Sequence, residues 1–356
     1  MEIVQHIYQV KLPFAVPKEE PRQATAPFFK SKMQAPAVSI AEIFNRPVPD
    51  ANVYMIEGPE GNLLIDCGGN TADSYNALGS GLKEYGFTIK DIKQIIITHA
   101  HPDHTGLAAK IAAFSGAGIY ISEAEAEDLK IRYEKYDDMI AESLKILKSS
   151  GVPPQEAIQL NHMLPKEFMI PVNAASYLKE GDIIEFDPFE FTVIETPGHS
   201  ACHICLYEPK KKFLFSGDTL LPEITPNIGY APQFGKDMLG EFIESLEKLY
   251  SLEINLVFPG HGPAFSGARQ LIEALIRHHD ERERIIMNIL EGNSKTPYQV
   301  AQEVPWNVDV KDGKFEYMSI LDRRLAITET VAHLEHMVNK KEIGKMEENG
   351  VNVYFA

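Results

Sequence analysis

Three histidines and an aspartate fall within six residues, His99-Ala-His101-Pro-Asp103-His104, directly after the apolar run Ile95-Ile96-Ile97. A short run of β-branched residues predicts a buried strand. Neutral imidazole and carboxylate are ligand types that zinc and iron accept. Ligands at the end of such a strand sit on a rigid support with their side chains free to converge. The fold therefore has to bring this strand end to a place where further ligands can meet it.

The same arrangement recurs along the chain. His199 follows a predicted strand in Thr196-Pro-Gly-His199-Ser200, and Asp218 follows one in Phe215-Ser-Gly-Asp218-Thr219. His261 follows a third in Phe258-Pro-Gly-His261-Gly262, and Asp66 ends a fourth in Leu64-Ile-Asp66-Cys-Gly68. Each stands beside Gly or Pro, and glycine lets a backbone turn sharply and approach closely. Together these motifs hold five imidazoles and two carboxylates, with Asp66 in addition. One metal uses at most about four such ligands. Two metals sharing a carboxylate and a hydroxide use about this many, so the count points to a two-metal centre.

Composition narrows the partners. The 356 residues suit one large domain, or a large one with a small one. No stretch approaches the roughly 18 apolar residues of a membrane span. The first residues, Met1-Glu2-Ile3-Val4-Gln5-His6, have neither the basic nor the apolar region of a secretory signal. Cys67, Cys202 and Cys205 are too few for a disulfide framework, so a cytoplasmic location is expected. With 34 basic and 51 acidic residues the net charge is −17. Nucleic-acid affinity rests on Lys and Arg neutralising phosphates, so the expected partner is a small-molecule substrate, not a polyanion or a membrane.

Strands and helices alternate through most of the chain. Residues 1–14 read as a first strand, and residues 15–48 as a long Pro- and Ala-rich loop with one short helix near Ile40-Ala41-Glu42-Ile43. A hairpin is expected around Glu57-Gly-Pro-Glu-Gly61. Residues 123–168 interrupt the alternation as a helical insert: a long helix over Glu123–Ser149, a break at Gly151-Val-Pro-Pro154, and a second helix over 155–163. From Gly267 onward helices dominate, ending in strand-like pieces around Asn349-Gly350. The expected division is a domain over 1–266 carrying the insert, then a helical, winged-helix-like domain over 267–356.

The order of these motifs resembles the metallo-β-lactamase fold superfamily over roughly residues 1–265. The resemblance implies an α/β fold, a four-layer αββα sandwich with metals at one edge of its two sheets. It implies that His99, His101 and His199 hold one metal, that Asp103, His104 and His261 hold the other, and that Asp218 bridges them. Asp66 would orient the histidine-rich loop from behind the ligands, the kind of support that fixes ring tautomers. Asp103 and Asp218 are the expected catalytic carboxylates. The cofactors would be two divalent ions, zinc first, with manganese or iron as alternatives.

A lone histidine after a strand is more often a packing or surface residue than a ligand. His6, His162, His278, His279, His333 and His336 stay in that class, and His203 and Cys205 read as strand residues beside the site. The pair Cys202-x-x-Cys205 matches half of a zinc ribbon or a redox pair. No second CxxC exists and the pair enters an apolar strand, so packing is the better reading.

The departures select a branch. Metallo-β-lactamases themselves usually carry cysteine or histidine where this chain has Asp218. Flavodiiron proteins replace the second histidine of the cluster, and His101 argues against them. Asp218 and its Gly-Asp-Thr219 setting resemble glyoxalase II, which hydrolyses thioesters. The tail around His278-His-Asp-Glu-Arg-Glu-Arg284 resembles the β-lactamase-like protein 2 group. Residues 281–356 carry 10 basic and 13 acidic residues, whereas a nucleic-acid-binding winged helix is basic. The tail is therefore read as packing, as homodimer contact or as part of the substrate pocket.

The expected function is a binuclear metal-dependent hydrolase, its metal-bridged hydroxide attacking a small thioester, ester or lactone. A phosphodiesterase or endoribonuclease, and a persulfide dioxygenase using one iron on His99, His199 and Asp218, are the alternatives. The insert and the 15–48 loop would form a lid, with Tyr133, Tyr136, Phe168, Asn227 and Tyr230 as lid or pocket residues.

Overall fold

The structure is a computed structural model, and it describes residues 2–13, 50–161, 166–235, 237–306 and 314–356. The long loop expected over 15–48, with its short helix at Ile40–Ile43, lies outside the described residues, as does His162.

Two sheets lie face to face. The first has seven strands in sequence order: β1 Glu2–Val4, β2 Ile7–Leu12, β3 Ala51–Ile56, β4 Asn62–Ile65, β5 Ile92–Ile96, β6 Gly118–Ser122 and β7 Ala174–Leu178. Pairing is antiparallel from β1 to β4 and parallel from β4 to β7. The second sheet runs β12 Leu256–Pro259, β11 Phe213–Gly217, β10 Ile204–Glu208, β9 Phe189–Glu195, β8 Ile183–Phe186. Its β11–β12 pair is parallel and the rest antiparallel.

Side chains on a strand alternate between faces, and here both faces are covered. In β3, Tyr54 and Ile56 join Ile65, Ile96, Phe191, Phe215 and Phe258 in the core between the sheets. Val53 and Met55, pointing the other way, pack with Leu78 and Leu82 of helix α1 (Ala72–Glu84). The short α2 (Pro102–Thr105) carries Asp103 and His104, and α3 (Ala108–Ser115) adds Ile111 to that outer core. On the far side of the second sheet, Ile194, Leu214 and Val257 meet the apolar faces of two later helices. Four layers, αββα, result.

The insert departs from its sequence reading in one respect. The single helix expected over Glu123–Ser149 is two, α4 (Glu123–Glu134) and α5 (Tyr136–Ser149), because Lys135 leaves helical geometry at φ −111°, ψ 37°. The new ends suit the helix dipole: Arg132 closes α4, and Asp137 and Asp138 open α5. Helix α6 (Pro154–Leu160) follows. Two other differences are local. The first strand is broken by His6 at φ 69°, which folds β1 back onto β2. The edge strand β7 has no alternating apolar pattern to announce it, because it is largely exposed.

Helices α7 (Met238–Tyr250), α8 (Ala268–Leu290), α9 (Pro297–Glu303) and α10 (Ile320–Asn339) complete the chain with a small sheet, β13 (Ser294–Lys295), β15 (Val351–Phe355), β14 (Gly344–Glu348). Asn349 and Gly350 join its hairpin at φ 52° and 81°, the positive angles that a tight hairpin turn requires. Helix α8 serves two cores. Leu271, Ile272 and Leu275 pack with α7 on the second sheet. Ile286 and Leu290 pack with α9, α10 and Tyr354. Leu147, Val152, Ala157 and Leu160 of the insert enter that same core, so α5 and α6 are built into the C-terminal helices.

Candidate metal centre

The histidine cluster begins where β5 stops. Asp66, at the end of the neighbouring β4, stands at φ 58°, a region non-glycine residues rarely enter. From there its Oδ1 accepts the Thr98 N–H at 2.9 Å, and its Oδ2 accepts the Nδ1–H of His104 at 2.8 Å. That bond leaves His104 Nε2 aimed inward, 3.5 Å from Asp218 Oδ1 and 3.6 Å from Asp103 Oδ2. Pro102 then opens α2, with His101 at its N-cap and Asp103 and His104 inside it. A single turn of helix thus faces Asp103 and His104 toward one point.

The other candidate ligands arrive from the second sheet. His199 follows β9, where Gly198, at φ 134°, has no room for a side chain: a Cβ would lie 2.4 Å from Phe242 Cβ. His199 Nδ1 donates to the main-chain oxygen of Asn227 at 3.0 Å, and its Nε2 lies 2.9 Å from His101 Nδ1. Asp218 follows β11. Its N–H donates to His203 Nε2 at 3.0 Å, which leaves His203 Nδ1–H to donate to Thr196 Oγ1 at 2.9 Å. Burial drives His203 down to about 3, so the ring is neutral and fit for this role.

His261 follows β12, and its loop is pinned from the first sheet. Asn52 Nδ2 donates to the carbonyls of Pro259 (2.9 Å) and Gly262 (2.7 Å), while the Tyr54 hydroxyl donates to Pro259 O at 2.8 Å. Gln9 Nε2 holds Asn52 Oδ1 at 2.6 Å. At Gly260 a Cβ would stand 2.2 Å from Asp218 Oδ1, so any side chain there would fill the site.

All seven expected ligands converge, in two groups. One ligand atom each from His99, His101, His199 and Asp218 lie within 4.8 Å of one another, as do those from Asp103, His104 and His261. Asp218 connects the groups: its Oδ2 is 3.5 Å from both His199 Nε2 and His261 Nε2.

These residues fit divalent cations. Nearly all buried polar atoms in proteins have a hydrogen-bond partner, yet His99 Nε2, His104 Nε2 and Asp218 Oδ1 are buried with none. All three are atoms through which imidazole and carboxylate bind metals. Electrostatics agree. Burial drives His99 and His101 well below their ordinary range, leaving neutral rings with lone pairs. Burial also opposes charge on His104 and His261, but the carboxylates beside them prevail, holding His104 well above its ordinary value and His261 at about 10. Asp103 falls to about 2 despite its burial, because His104 and His261 face it. The carboxylates thus demand positive charge at the point where the ligand atoms meet.

Of the expected pocket residues, Asn227 touches the cluster, through His199. Tyr133 lies under Lys166 Nζ, 4.3 Å from its ring centre, and Tyr136 opens α5. Tyr230 lines a separate hollow of about 220 Å³ with Asp237, Met238 and Glu335. Phe168 ends a short 3-10 turn.

Three supporting residues carry no sign of this role in the sequence. Thr98 and His203 hold Asp66 and Asp218 as described. The third is Glu125, one turn into α4 and 1% exposed. Its Oε2 accepts the Ala100 N–H, and its Oε1 accepts the Ser200 hydroxyl and the Cys202 N–H, each at 2.7 Å. One carboxylate thereby ties the His99–His101 loop to the His199 loop. Its one sequence signal is Ser122, whose hydroxyl accepts the Glu125 N–H at the start of α4, an N-cap pattern that says nothing of burial.

The sequence profile of the Metallo-beta-lactamase superfamily matches residues 46–261. A protein of Bacillus subtilis (strain 168) described as a probable metallo-hydrolase, YqjP, is 28% identical over 327 residues, covering 86% of this chain and 93% of that one. The acyl-coenzyme A thioesterase MBLAC2 of Gallus gallus is 27% identical over 228 residues, 62% of this chain and 75% of that one. Among solved structures, a metallo-beta-lactamase family protein of Thermus thermophilus superposes with a TM-score of 0.76 over 99% of both chains at 23% identity. That likeness extends through the C-terminal helices and the small sheet.

Proposed function

The chain belongs to the metallo-β-lactamase superfamily, and on that premise we propose that it is a hydrolase that works with two divalent metal ions, zinc first, on a small acyl thioester. The observation that carries this reading is the pair of donor groups joined by Asp218. His99, His101 and His199 would hold one ion, Asp103, His104 and His261 the other, and Asp218 both. When bound, the ions would supply Lewis-acid polarisation of the scissile carbonyl and lower the pKa of bound water to roughly 7.

The chain's own residues do the rest. Asp66 and Asn227 fix the Nδ1–H of His104 and His199, so that each ring presents Nε2. Asp103, whose Oδ2 lies 3.3 Å from His261 Nε2, is held ionised by His104 and His261 and would complete the second donor group as a carboxylate. Cys67 and Cys205 are not poised as nucleophiles: both are buried, and burial pushes Cys67 well up and Cys205 to about 11, which denies the thiolate that attack requires. The thioester preference draws on the aspartate at 218 and on the thioesterase named above. Esters and lactones share the same electrophilic carbonyl.

A substrate panel tests this. With zinc or manganese added, acyl-coenzyme A thioesters should give the highest kcat/KM, ahead of simple esters and lactones. Turnover of bis-p-nitrophenyl phosphate or single-stranded RNA, with none of the acyl substrates, would overturn the reading. The net charge of −17 opposes that outcome.

A further inference from the structure

A chain of polar contacts leads from His199 into the C-terminal helices. His199 Nδ1 donates to the main-chain oxygen of Asn227 at 3.0 Å. The Asn227 side chain in turn donates from Nδ2 to Glu329 Oε2, on α10, at 3.2 Å. Glu329 Oε1 stands 3.7 Å from an Arg282 guanidinium nitrogen, on α8. The guanidinium lies over the Trp306 ring, 4.3 Å from its centre. A parallel tie runs beside it: the Tyr230 N–H donates to Thr328 O at 3.0 Å. The 227–230 loop is therefore fastened twice to one turn of α10.

Packing alone does not explain these residues. Arg282 and the Glu329 side chain are 6% and 14% exposed, and taking two charges out of water costs several kcal/mol per ion before any attraction is regained. An apolar pair would pack the tail as well, as the neighbouring core of Ile286, Leu290, Val300 and Ile327 does. What the charged pair adds is an acceptor at a fixed place for the Asn227 amide. That amide sets where the Asn227 carbonyl stands, and the carbonyl sets the ring plane and the tautomer of His199.

We propose that Glu329 is a positioning residue of the metal centre, acting through Asn227 on His199, so that the C-terminal helices are a working part of the site. The inference rests on the reading of the cluster as a metal centre. Without the Glu329 carboxylate the 227–230 loop keeps its tie to Thr328 and the packing of Ile228, but the Asn227 carbonyl that accepts from His199 loses one of the restraints that fix its place. Outer partners of metal-bound histidines change affinity by about 10–100-fold, and one acting at a further remove belongs near the lower figure.

The test uses the full chain and cobalt(II) as a spectroscopic probe, with chelator competition for affinity and denaturant unfolding as a check on the fold. The wild type should bind two cobalt ions. Glu329→Ala should bind one of them about tenfold more weakly and alter the visible cobalt bands. Asn227→Ala, which keeps the carbonyl and removes only the amide, should do the same, and the double variant should be no worse than either single one. Glu329→Gln retains an accepting oxygen and should restore the bands. Folded variants with wild-type affinity and bands overturn the proposal while leaving the metal centre standing. If Glu329→Ala fails to fold, Asn227→Ala decides by the same two readouts. A wild-type chain that takes up no cobalt overturns the underlying reading, and this inference with it.

Discussion

Replacing Asp218 with alanine is expected to abolish hydrolysis, by a factor on the order of 10³ or more, and to reduce the metal retained by the folded chain. The size follows from what would be lost: Lewis-acid polarisation and water activation worth several kcal/mol, at about 1.36 kcal/mol for each tenfold in rate. The reason lies in the geometry. Asp218 is the residue within 3.5 Å of nitrogens from both donor groups, through Oδ1 to His104 and through Oδ2 to His199 and His261. It enters on a strand end locked by the His203 ring and by the close approach of Gly260, so no neighbour can move in to replace it. The fold should survive, because Asp218 stands outside the apolar cores that hold the two sheets and their helices together. Denaturant midpoint, metal content and turnover measured on one preparation would show this. A folded D218A chain that keeps both its metal and its rate would contradict it.

The second large effect is on stability and activity together. Glu125→Ala leaves three donors without their acceptor, Ala100 N–H, Ser200 O–H and Cys202 N–H. A buried donor left unsatisfied costs about 1–3 kcal/mol, and the penalties share one cavity. A loss of roughly 3–5 kcal/mol is expected. Glu125→Gln should rescue it only in part. A carboxylate accepts at both oxygens, whereas the amide must turn its NH2 toward one of these donors. In both variants the clamp between the His99–His101 loop and the His199 loop is weakened, so turnover should fall even where the chain remains folded. Urea unfolding and kcat on the same variants read the two effects. Unchanged midpoints for Glu125→Ala would mean that the clamp holds nothing.

The two residues differ in how visible they are in the sequence. Asp218 and the six other candidate ligands stand on strand ends or in the short turns that directly follow them, in segments punctuated by Gly or Pro, because that is where a chain can carry a side chain inward, and such punctuation is local. The layered architecture is legible for the same reason: runs such as Ile95-Ile96-Ile97 and Leu256-Val-Phe258 announce strands buried on both faces. Glu125 leaves no such mark. It occurs in a polar stretch, Glu123-Ala-Glu125-Ala-Glu127, in which nothing local distinguishes the buried carboxylate from the exposed ones beside it. Its partners lie 25 to 77 residues away, and long-range burial has no signature in a single sequence. His203 reads from its strand as a packing residue. It does pack, but both its ring nitrogens are committed to holding Asp218 and Thr196. The break at Lys135 is hidden because the residues on both sides favour helix. The core shared by the insert and the C-terminal helices is hidden because its halves lie more than a hundred residues apart.

Metal content per chain tests the central claim most directly. Purified protein, equilibrated with zinc and freed of excess, should hold close to two ions per chain by elemental analysis, and D218A fewer. A single iron per chain with oxygen consumption on glutathione persulfide, or full hydrolytic activity in protein stripped of metal, would contradict the two-metal hydrolase.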